Sequence, residues 1–280
     1  MLRIVCFCLV LLLLFPLPAT AGVGDLMVAP TRILLEGRTR AATINLVNRG
    51  NETATYRVSL YNQRMDENGN YTEIKTPEEG EHFADSMLRF SPRQVVLKPG
   101  EGQTVRVMAT KPAGLAEGEY RSHLLFRALP PENAGETLEQ NNVAEGGISV
   151  KLIPVYGVSI PVVVRQGKLH AGAQLSGLAL HSDKPEASYV SVVLERSGNA
   201  SLYGDVDVVY TAPGGKGGER VLGELHGVSV LAPYPHRHVR LDITLPEGVR
   251  LEHGGTLRVR FRNSPEETQP TNAEQSVKLP

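Results

Sequence analysis

Two histidines one residue apart are the side chains with the clearest potential for metal chemistry. His236 and His238 flank Arg237 in a segment where polar and apolar residues alternate. Since alternate residues of a β-strand point to the same face, the two imidazoles would lie side by side. The sequence around them offers no third ligand, and protein metal sites use at least three. We therefore interpret the pair as part of a solvated turn and predict no bound metal.

The other reactive side chains do not form an enzyme pattern. His123 is accompanied by no Gly-x-Ser-x-Gly nucleophile motif. Asp205 and Asp207 could form a carboxylate pair on one strand, but acids on an exposed strand commonly serve solubility. The chain is therefore predicted to be no enzyme and to need no cofactor.

A long apolar stripe between Gly147 and Val164 is better suited to binding. Its apolar residues of one face are Ile148, Val150, Leu152, Tyr156, Val158, Ile160 and Val162. At ~3.3 Å per residue this segment would outreach a small sandwich. Two interpretations stay open: two strands separated by a kink at Pro154, or a strand partly offered to a protein that lacks one.

The elements that would position these residues are β-strands. Period-two alternation recurs along the chain, turn residues separate the segments, and no amphipathic helix is evident. These features predict an all-β protein of two immunoglobulin-like sandwiches, 22–165 and 166–265, joined by a short linker at 165–168, with a loosely ordered polar tail at 266–280. In the first domain we predict seven strands: Leu26–Leu35, Ala41–Asn48, Ala54–Gln63, Arg93–Leu97, Gln103–Ala109, Tyr120–Leu129 and Ile148–Val164.

Residues 1–21 have the features of a cleaved secretory signal peptide. Arg3 precedes the apolar run from Ile4 to Leu14, and Ala19-Thr20-Ala21 is a small-residue cleavage site. Both cysteines lie in this segment, so no disulfide framework is predicted for the exported chain.

A net charge of −1 argues against nucleic acid as a partner. No later apolar segment is long enough to insert into a membrane.

Three segments resemble a known family. They are Val28-Ala29-Pro30-Thr31-Arg32 with the following Ala41–Asn48, then Phe90–Gly100 with Gln103–Arg106, and finally Gly118–Phe126. In this order they are similar to the PapD-like periplasmic chaperones of the chaperone–usher pilus pathway. The resemblance covers most of the first domain, whereas the second matches only in its β character.

The resemblance implies a boomerang of two immunoglobulin-like domains and a role in fimbrium biogenesis and cell wall organisation. In such chaperones the last strand of the first domain is donated to a pilus subunit, and the loaded complex goes to an outer-membrane usher. The donated residues would be Ile148, Val150, Leu152 and Tyr156. Arg32 matches the family's arginine that anchors the terminal carboxylate of the pilus subunit. The family's second anchor, a lysine, has no match, and Lys151 and Arg121 are the candidates for a second cation.

The predicted location is the periplasm, with pilus or fimbrial subunits and an usher as partners. Self-association that hides the donor strand in the absence of a subunit is a further option. The alternative is an exported structural or adhesive protein of fibronectin-like sandwiches, in which the long strand only connects domains. The segments around Arg32 and from Pro92 to Gly100 favour the chaperone, because a generic sandwich does not require them.

Overall fold

A computed structural model describes residues 25–130, 155–182, 188–246, 248–267 and 271–280. The predicted signal peptide and the predicted donor residues Ile148, Val150 and Leu152, together with Lys151, lie outside these ranges. The described ranges form seventeen strands and two short 3-10 turns, which confirms the all-β fold of immunoglobulin-like sandwiches. None of the helical segments in those ranges has the length and hydrophobicity to cross a membrane.

The first sandwich consists of two sheets built from ten strands. One sheet has the order β1-β3-β8-β6, and the other has the order β2-β10-β9-β4-β5 with β7 paired to β4. The strands are β1 Leu26–Ala29, β2 Ile33–Leu35, β3 Ala41–Asn48, β4 Ala54–Met65, β5 Tyr71–Ile74, β6 Leu88–Ser91, β7 Gln94–Leu97, β8 Gly102–Ala109, β9 Gly118–Ala128 and β10 Gly157–Gln166. Alternate residues of facing strands fill the core, as in Ile44, Leu46, Val105, Leu124 and Phe126.

The first predicted strand is divided between the two sheets. β1 pairs antiparallel with β3, whereas β2 pairs parallel with β10. The division falls at Pro30, which has no N–H to donate to a ladder. It leaves Thr31 and Arg32 between the sheets, at the end of the sandwich that faces the second one.

The second sandwich contains the remaining seven strands. Its sheets have the orders β11-β12-β15 and β14-β13-β16-β17. The strands are β11 Ala171–His181, β12 Tyr189–Gly198, β13 Leu202–Thr211, β14 Glu219–Val230, β15 His236–Asp242, β16 Thr256–Asn263 and β17 Ala273–Lys278. Its core includes Val190, Leu194, Val208, Leu257 and Phe261, all nearly without solvent exposure.

Two parts of the predicted chain organisation differ in the structure. The polar tail at 266–280 contains a strand, since β17 pairs antiparallel with β16 and Leu279 is buried. Its polar composition hides this, because only a few alternate residues, among them Val277 and Leu279, pack on the core, and main-chain hydrogen bonds to β16 supply the rest. The predicted linker at 165–168 also begins inside β10, and Arg165 is only 4 % exposed.

Candidate binding cleft between the two sandwiches

A cleft of about 380 Å³ lies between the two sandwiches. Its wall in the first sandwich includes Arg32, Arg121 and His123, and its wall in the second includes Tyr203 and Ser229. Strand β10 contributes Ser159, Pro161 and Val163, which alternate with the core-facing residues of the same strand. The structure thus brings Arg32 and Arg121, two of the predicted anchor residues, into one cleft.

Arg32 is a buried residue that already has an acidic partner. Its Nη2 atom lies 2.7 Å from Oε1 of Glu267, which belongs to the second sandwich. Its guanidinium carbon also lies 4.4 Å from the ring centroid of Tyr203, a cation–π contact. Its Nη1 atom is buried without a hydrogen-bond partner among the described residues. Arg32 therefore binds the second sandwich and retains one unused donor.

A buried ion network that the sequence analysis missed continues from Arg32. Arg165 donates to Oε2 of Glu119 at 3.0 Å and to Oε2 of Glu267 at 2.5 Å. Glu119 also accepts hydrogen bonds from the backbone N–H and the hydroxyl of Ser201 in the second sandwich. The alternation of β10 offered a signal, because Arg165 shares the face of the cleft residues Ser159, Pro161 and Val163.

Glu119 and Arg165 favour their charged forms although both are buried. Burial alone would raise the pKa of Glu119, but the charge of Arg165 and the hydrogen bonds from Ser201 lower it below its ordinary value. Burial would likewise lower the pKa of Arg165, and the carboxylates of Glu119 and Glu267 raise it instead. The two sandwiches are therefore joined by charges that compensate one another.

A second contact between the sandwiches involves Glu81. Arg64 donates to both carboxylate oxygens of Glu81 at 3.0 and 2.7 Å, and Tyr234 of the second sandwich donates its hydroxyl at 2.6 Å. The hydrogen bonds from Arg64 are the main reason that the pKa of Glu81 falls to about 2. Burial and the bond to Glu81 together raise the pKa of Tyr234 to about 12.

Arg121 differs from the other cations of the cleft. It is half-buried on β9, and across the described residues its side chain has no ion-pair partner. Its charge is felt locally, since it helps to lower the pKa of the neighbouring His123. A cation without a partner in a partly enclosed cleft can bind a carboxylate from outside.

His123 is buried beside Arg121 and packs near Tyr61 and Tyr71, with ring centroids 5.7 and 6.1 Å away. Burial, followed by the charge of Arg121, lowers its pKa from 6.5 to about 3. The imidazole is therefore neutral near neutral pH.

Acid is expected to destabilise the protein through His123. The unfolded chain takes up a proton at this histidine below a pH of 6.5, whereas the folded chain resists until about 3, so stability falls as the pH drops through that window. Urea unfolding of wild type and His123→Gln at several pH values measures this, and the variant should lose less stability on acidification. His170→Gln, at an exposed histidine, is the control. Parallel pH profiles for wild type and His123→Gln would contradict the assignment.

Strand β10 has one partly open edge. It pairs with β9 over its whole length from Gly157 to Gln166, but with β2 only from Val162 to Val164. Among the described strands, none pairs with the other edge of residues 157–161. Tyr156, directly before the strand, is 57 % exposed. Ile160, Val162 and Val164 by contrast are buried in their own core, so the later half of the apolar stripe belongs to this sandwich.

The acidic pair of β13 is not the solubilising pair that the sequence analysis predicted. Asp207 is only 1 % exposed, and it accepts hydrogen bonds of 2.8 and 3.1 Å from Arg260. Arg262 approaches the same carboxylate to 2.8 Å. Asp205 remains partly exposed, with His226 at 3.3 Å. Asp207 therefore neutralises two arginines of β16, a role that strand alternation alone does not distinguish from solvation.

Comparison with known proteins places a recognised domain on the first sandwich. Residues 35–163 match the model of a family described as Fn3-like domain. No curated protein matches the chain.

Among solved structures, one similar protein is the E. coli chaperone DraB, with 12% identity, a TM-score of 0.46, and coverage of 92% of this chain and 98% of DraB. The class 5 fimbriae chaperone CfaA has 13% identity and a TM-score of 0.43, covering 91% of this chain and 100% of CfaA. A third similar structure is the CsuC–CsuE chaperone–tip adhesion pre-assembly complex, from archaic chaperone–usher pili of Acinetobacter baumannii. It has 13% identity and a TM-score of 0.43, and the match covers 90% of this chain and 98% of the chain in that complex. All three are chaperone structures.

Proposed function

We propose that this chain is a periplasmic chaperone that binds, folds and caps pilus subunits by donating a β-strand and then delivers them to an outer-membrane usher. The observation that carries the proposal is Arg121, a cation without an ionic partner among the described residues, in a cleft beside the open edge of β10. A partner with an exposed strand edge and a free carboxylate would use both features.

Binding of the terminal carboxylate in the cleft would anchor one end of the pilus subunit. The terminal carboxylate of a pilus subunit loses water when it enters the cleft and requires a charged donor, and guanidinium can offer two parallel hydrogen bonds. Arg121 provides a charge that forms no ion pair among the described residues, and Arg32 provides its unused Nη1 donor. We assign Arg121 the leading role, because the charge of Arg32 is already matched by Glu267 at 2.7 Å. Lys151, which lies outside the described residues, is the alternative.

Strand addition supplies the rest of the interaction. The segment with Ile148, Val150 and Leu152 precedes Tyr156 and β10 in the sequence, so a donated strand there would continue the strand that borders the cleft. Main-chain hydrogen bonds to a pilus subunit would extend the sheet, and the apolar side chains would fill that protein's groove. Each buried aliphatic side chain contributes about 1.5–3 kcal/mol before the cost of ordering.

A charge in the donated stripe is expected to abolish capture. Val150→Asp would place a carboxylate in an apolar groove, and recovery of the complex should fall at least a hundredfold, about 2.7 kcal/mol or more. The measurement is co-purification with a co-expressed pilus subunit. Ser149→Asp introduces the same charge on the opposite face and should leave capture nearly unchanged. Equal capture by Val150→Asp and wild type would exclude this register.

The second candidate, an exported structural or adhesive protein, is favoured by the Fn3-like match of residues 35–163. Such a protein would retain no pilus subunit in the co-purification, whether or not Val150 is replaced. Failure of the wild-type chain to capture any pilus subunit would therefore favour this candidate.

A further inference from the structure

The histidine pair of β15 has a third potential ligand that comes from the other sandwich. Glu67, in the turn between β4 and β5, lies beside His236 and His238. Ligand atoms of these three residues all lie within 4.8 Å of one another, and Nε2 of His236 is 3.7 Å from Oε2 of Glu67. The sequence could not show this, because 169 positions separate Glu67 from His236.

The turn that carries Glu67 is fixed on both of its sides. Within the turn, the carboxylate of Asp66 accepts hydrogen bonds from the backbone N–H groups of Asn68 and Asn70 at 2.9 and 2.8 Å. Across the interface, the backbone N–H of His238 donates to the carbonyl of Glu67 at 2.7 Å. The backbone of Glu67 is therefore held next to the histidines by main-chain hydrogen bonds, which leaves its carboxylate within reach of them.

Close approach at this turn depends on a glycine. Gly69 has a φ of +85°, and a Cβ there would collide with the Arg237 guanidinium. Arg237 also donates to the carbonyl of Ser229 at 3.3 Å, and the hydroxyl of Tyr71 lies 3.2 Å from that of Ser229. The turn and the β14–β15 region therefore form a specific interface, and the three ligands lie within it.

The chemistry of the three ligands selects the kind of ion. Two imidazoles and a carboxylate suit Zn²⁺ and neighbouring transition metals, whereas Ca²⁺ and Mg²⁺ prefer oxygen ligands alone. With Zn–ligand distances of about 2.0–2.1 Å, tetrahedral ligand atoms lie about 3.3 Å apart, so small side-chain rotations would close the site. We propose that Glu67, His236 and His238 form a site for a divalent transition metal that ties the two sandwiches together.

The charges around the site are mixed. Arg237 lies between the two histidines in sequence, but strand alternation puts it on the opposite face, where its guanidinium packs on Gly69 and donates to the carbonyl of Ser229. Arg240, two residues after His238, forms an ion pair with Asp242 at 3.1 Å and stacks on Tyr189 with its guanidinium carbon 3.8 Å from the ring centroid. Glu195 lies opposite His236 in the ladder and adds a negative charge to that face. The side chains of His236 and Glu67 are 38 % and 62 % exposed, so the fourth position is open to water.

The consequence of such a site is control over the angle between the sandwiches. One ligand comes from the first sandwich and two come from the second, so the metal can bind all three only when the turn and β15 are in contact. The binding cleft lies at the same junction and includes Tyr71 and Ser229 of this interface. Metal binding would therefore narrow the range of cleft openings that the chain samples.

Zinc titration of the full exported chain, in competition with a chromophoric chelator, tests the site. The wild type should bind one Zn²⁺, and Glu67→Gln and His238→Gln should each weaken binding at least about tenfold, as loss of a ligand requires. His253→Gln, at an exposed histidine of the second sandwich, is the matched control and should bind as the wild type does. Equal affinity for Glu67→Gln and wild type would overturn the proposal, because the histidine pair alone would then bind the ion.

A distance measurement tests the tie itself. Residues 22–280 contain no cysteine, so nitroxide labels can be attached at Arg106→Cys and Glu274→Cys, exposed positions of the two sandwiches. Zn²⁺ should narrow the distribution of label separations in the otherwise wild-type chain, and Mg²⁺ should not. With Glu67→Gln the Zn²⁺ effect should disappear. A distribution that Zn²⁺ leaves unchanged in the wild-type chain would show that the metal does not join the sandwiches.

Discussion

Replacing Arg165 by methionine is expected to destabilise the protein by about 3–5 kcal/mol, because it leaves buried carboxylates without their cation. Glu119 and Glu267 have side chains only 2 % and 6 % exposed, and Arg165 is the arginine that contacts both. Arg32 would still face Glu267, but Glu119 would keep only the hydrogen bonds from Ser201 and the influence of the Arg121 charge. Urea unfolding followed by circular dichroism measures the loss.

The pH dependence of that loss identifies its cause. Without Arg165, burial raises the pKa of Glu119, so the carboxylate costs stability as the pH rises and costs little once it is protonated. The Arg165→Met defect should therefore shrink in acid, and adding Glu119→Gln should restore part of the stability at neutral pH. Arg127→Met, at an exposed arginine of β9, should change stability by no more than about 0.5 kcal/mol. A defect that is independent of pH would indicate lost packing instead.

Strand alternation predicted much of the first sandwich, because most of its strands bury one face. The predicted segments Ala41–Asn48, Gln103–Ala109 and Tyr120–Leu129 correspond to β3, β8 and β9. Strands β5 and β6 were missed, because each has four residues and too few apolar side chains to show a period. The exchange of sheets at Pro30 was also missed, since both halves of that segment are apolar and a pattern does not say which sheet a residue joins.

The sequence predicted single residues of the cleft, but it did not predict the contacts that residues from distant segments make with one another. The motif around Arg32 directed attention to the cleft, and Arg32 and Arg121 do line it. The carboxylate that pairs with Arg32 comes from Glu267, in the segment predicted to be a loosely ordered tail. Likewise, no third ligand is near the histidine pair in the sequence, whereas Glu67 lies beside the pair in the structure. Contacts between distant segments depend on how the two sandwiches pack, which period-two patterns do not encode.

Arg121→Gln is expected to abolish capture of pilus subunits while the protein stays folded. Truncating one partner of a buried, hydrogen-bonded charge pair costs about 2–5 kcal/mol, which corresponds to roughly thirtyfold or more in affinity. Arg121 forms no ion pair among the described residues, and its charge is a lesser influence on the buried Glu119 than that of Arg165, so stability should fall less than in Arg165→Met. The removal of its charge should also raise the pKa of His123, which NMR titration can follow in the same sample.

A pair of peptides can separate the contribution of the terminal carboxylate from that of the donated strand. Peptides that copy the last residues of a pilus subunit, with a free carboxylate or with an amide, should bind the wild-type chain differently, whereas Arg121→Gln should not distinguish them. Arg127→Gln removes a charge from the exposed part of the same strand and should behave as wild type. If Arg121→Gln still prefers the free carboxylate and Arg32→Gln does not, then the donor is Arg32, and Glu267 must release it when the pilus protein binds. Because Glu267 occupies Arg32 at 2.7 Å in the free chain, that outcome would make capture a competition between two carboxylates for one guanidinium.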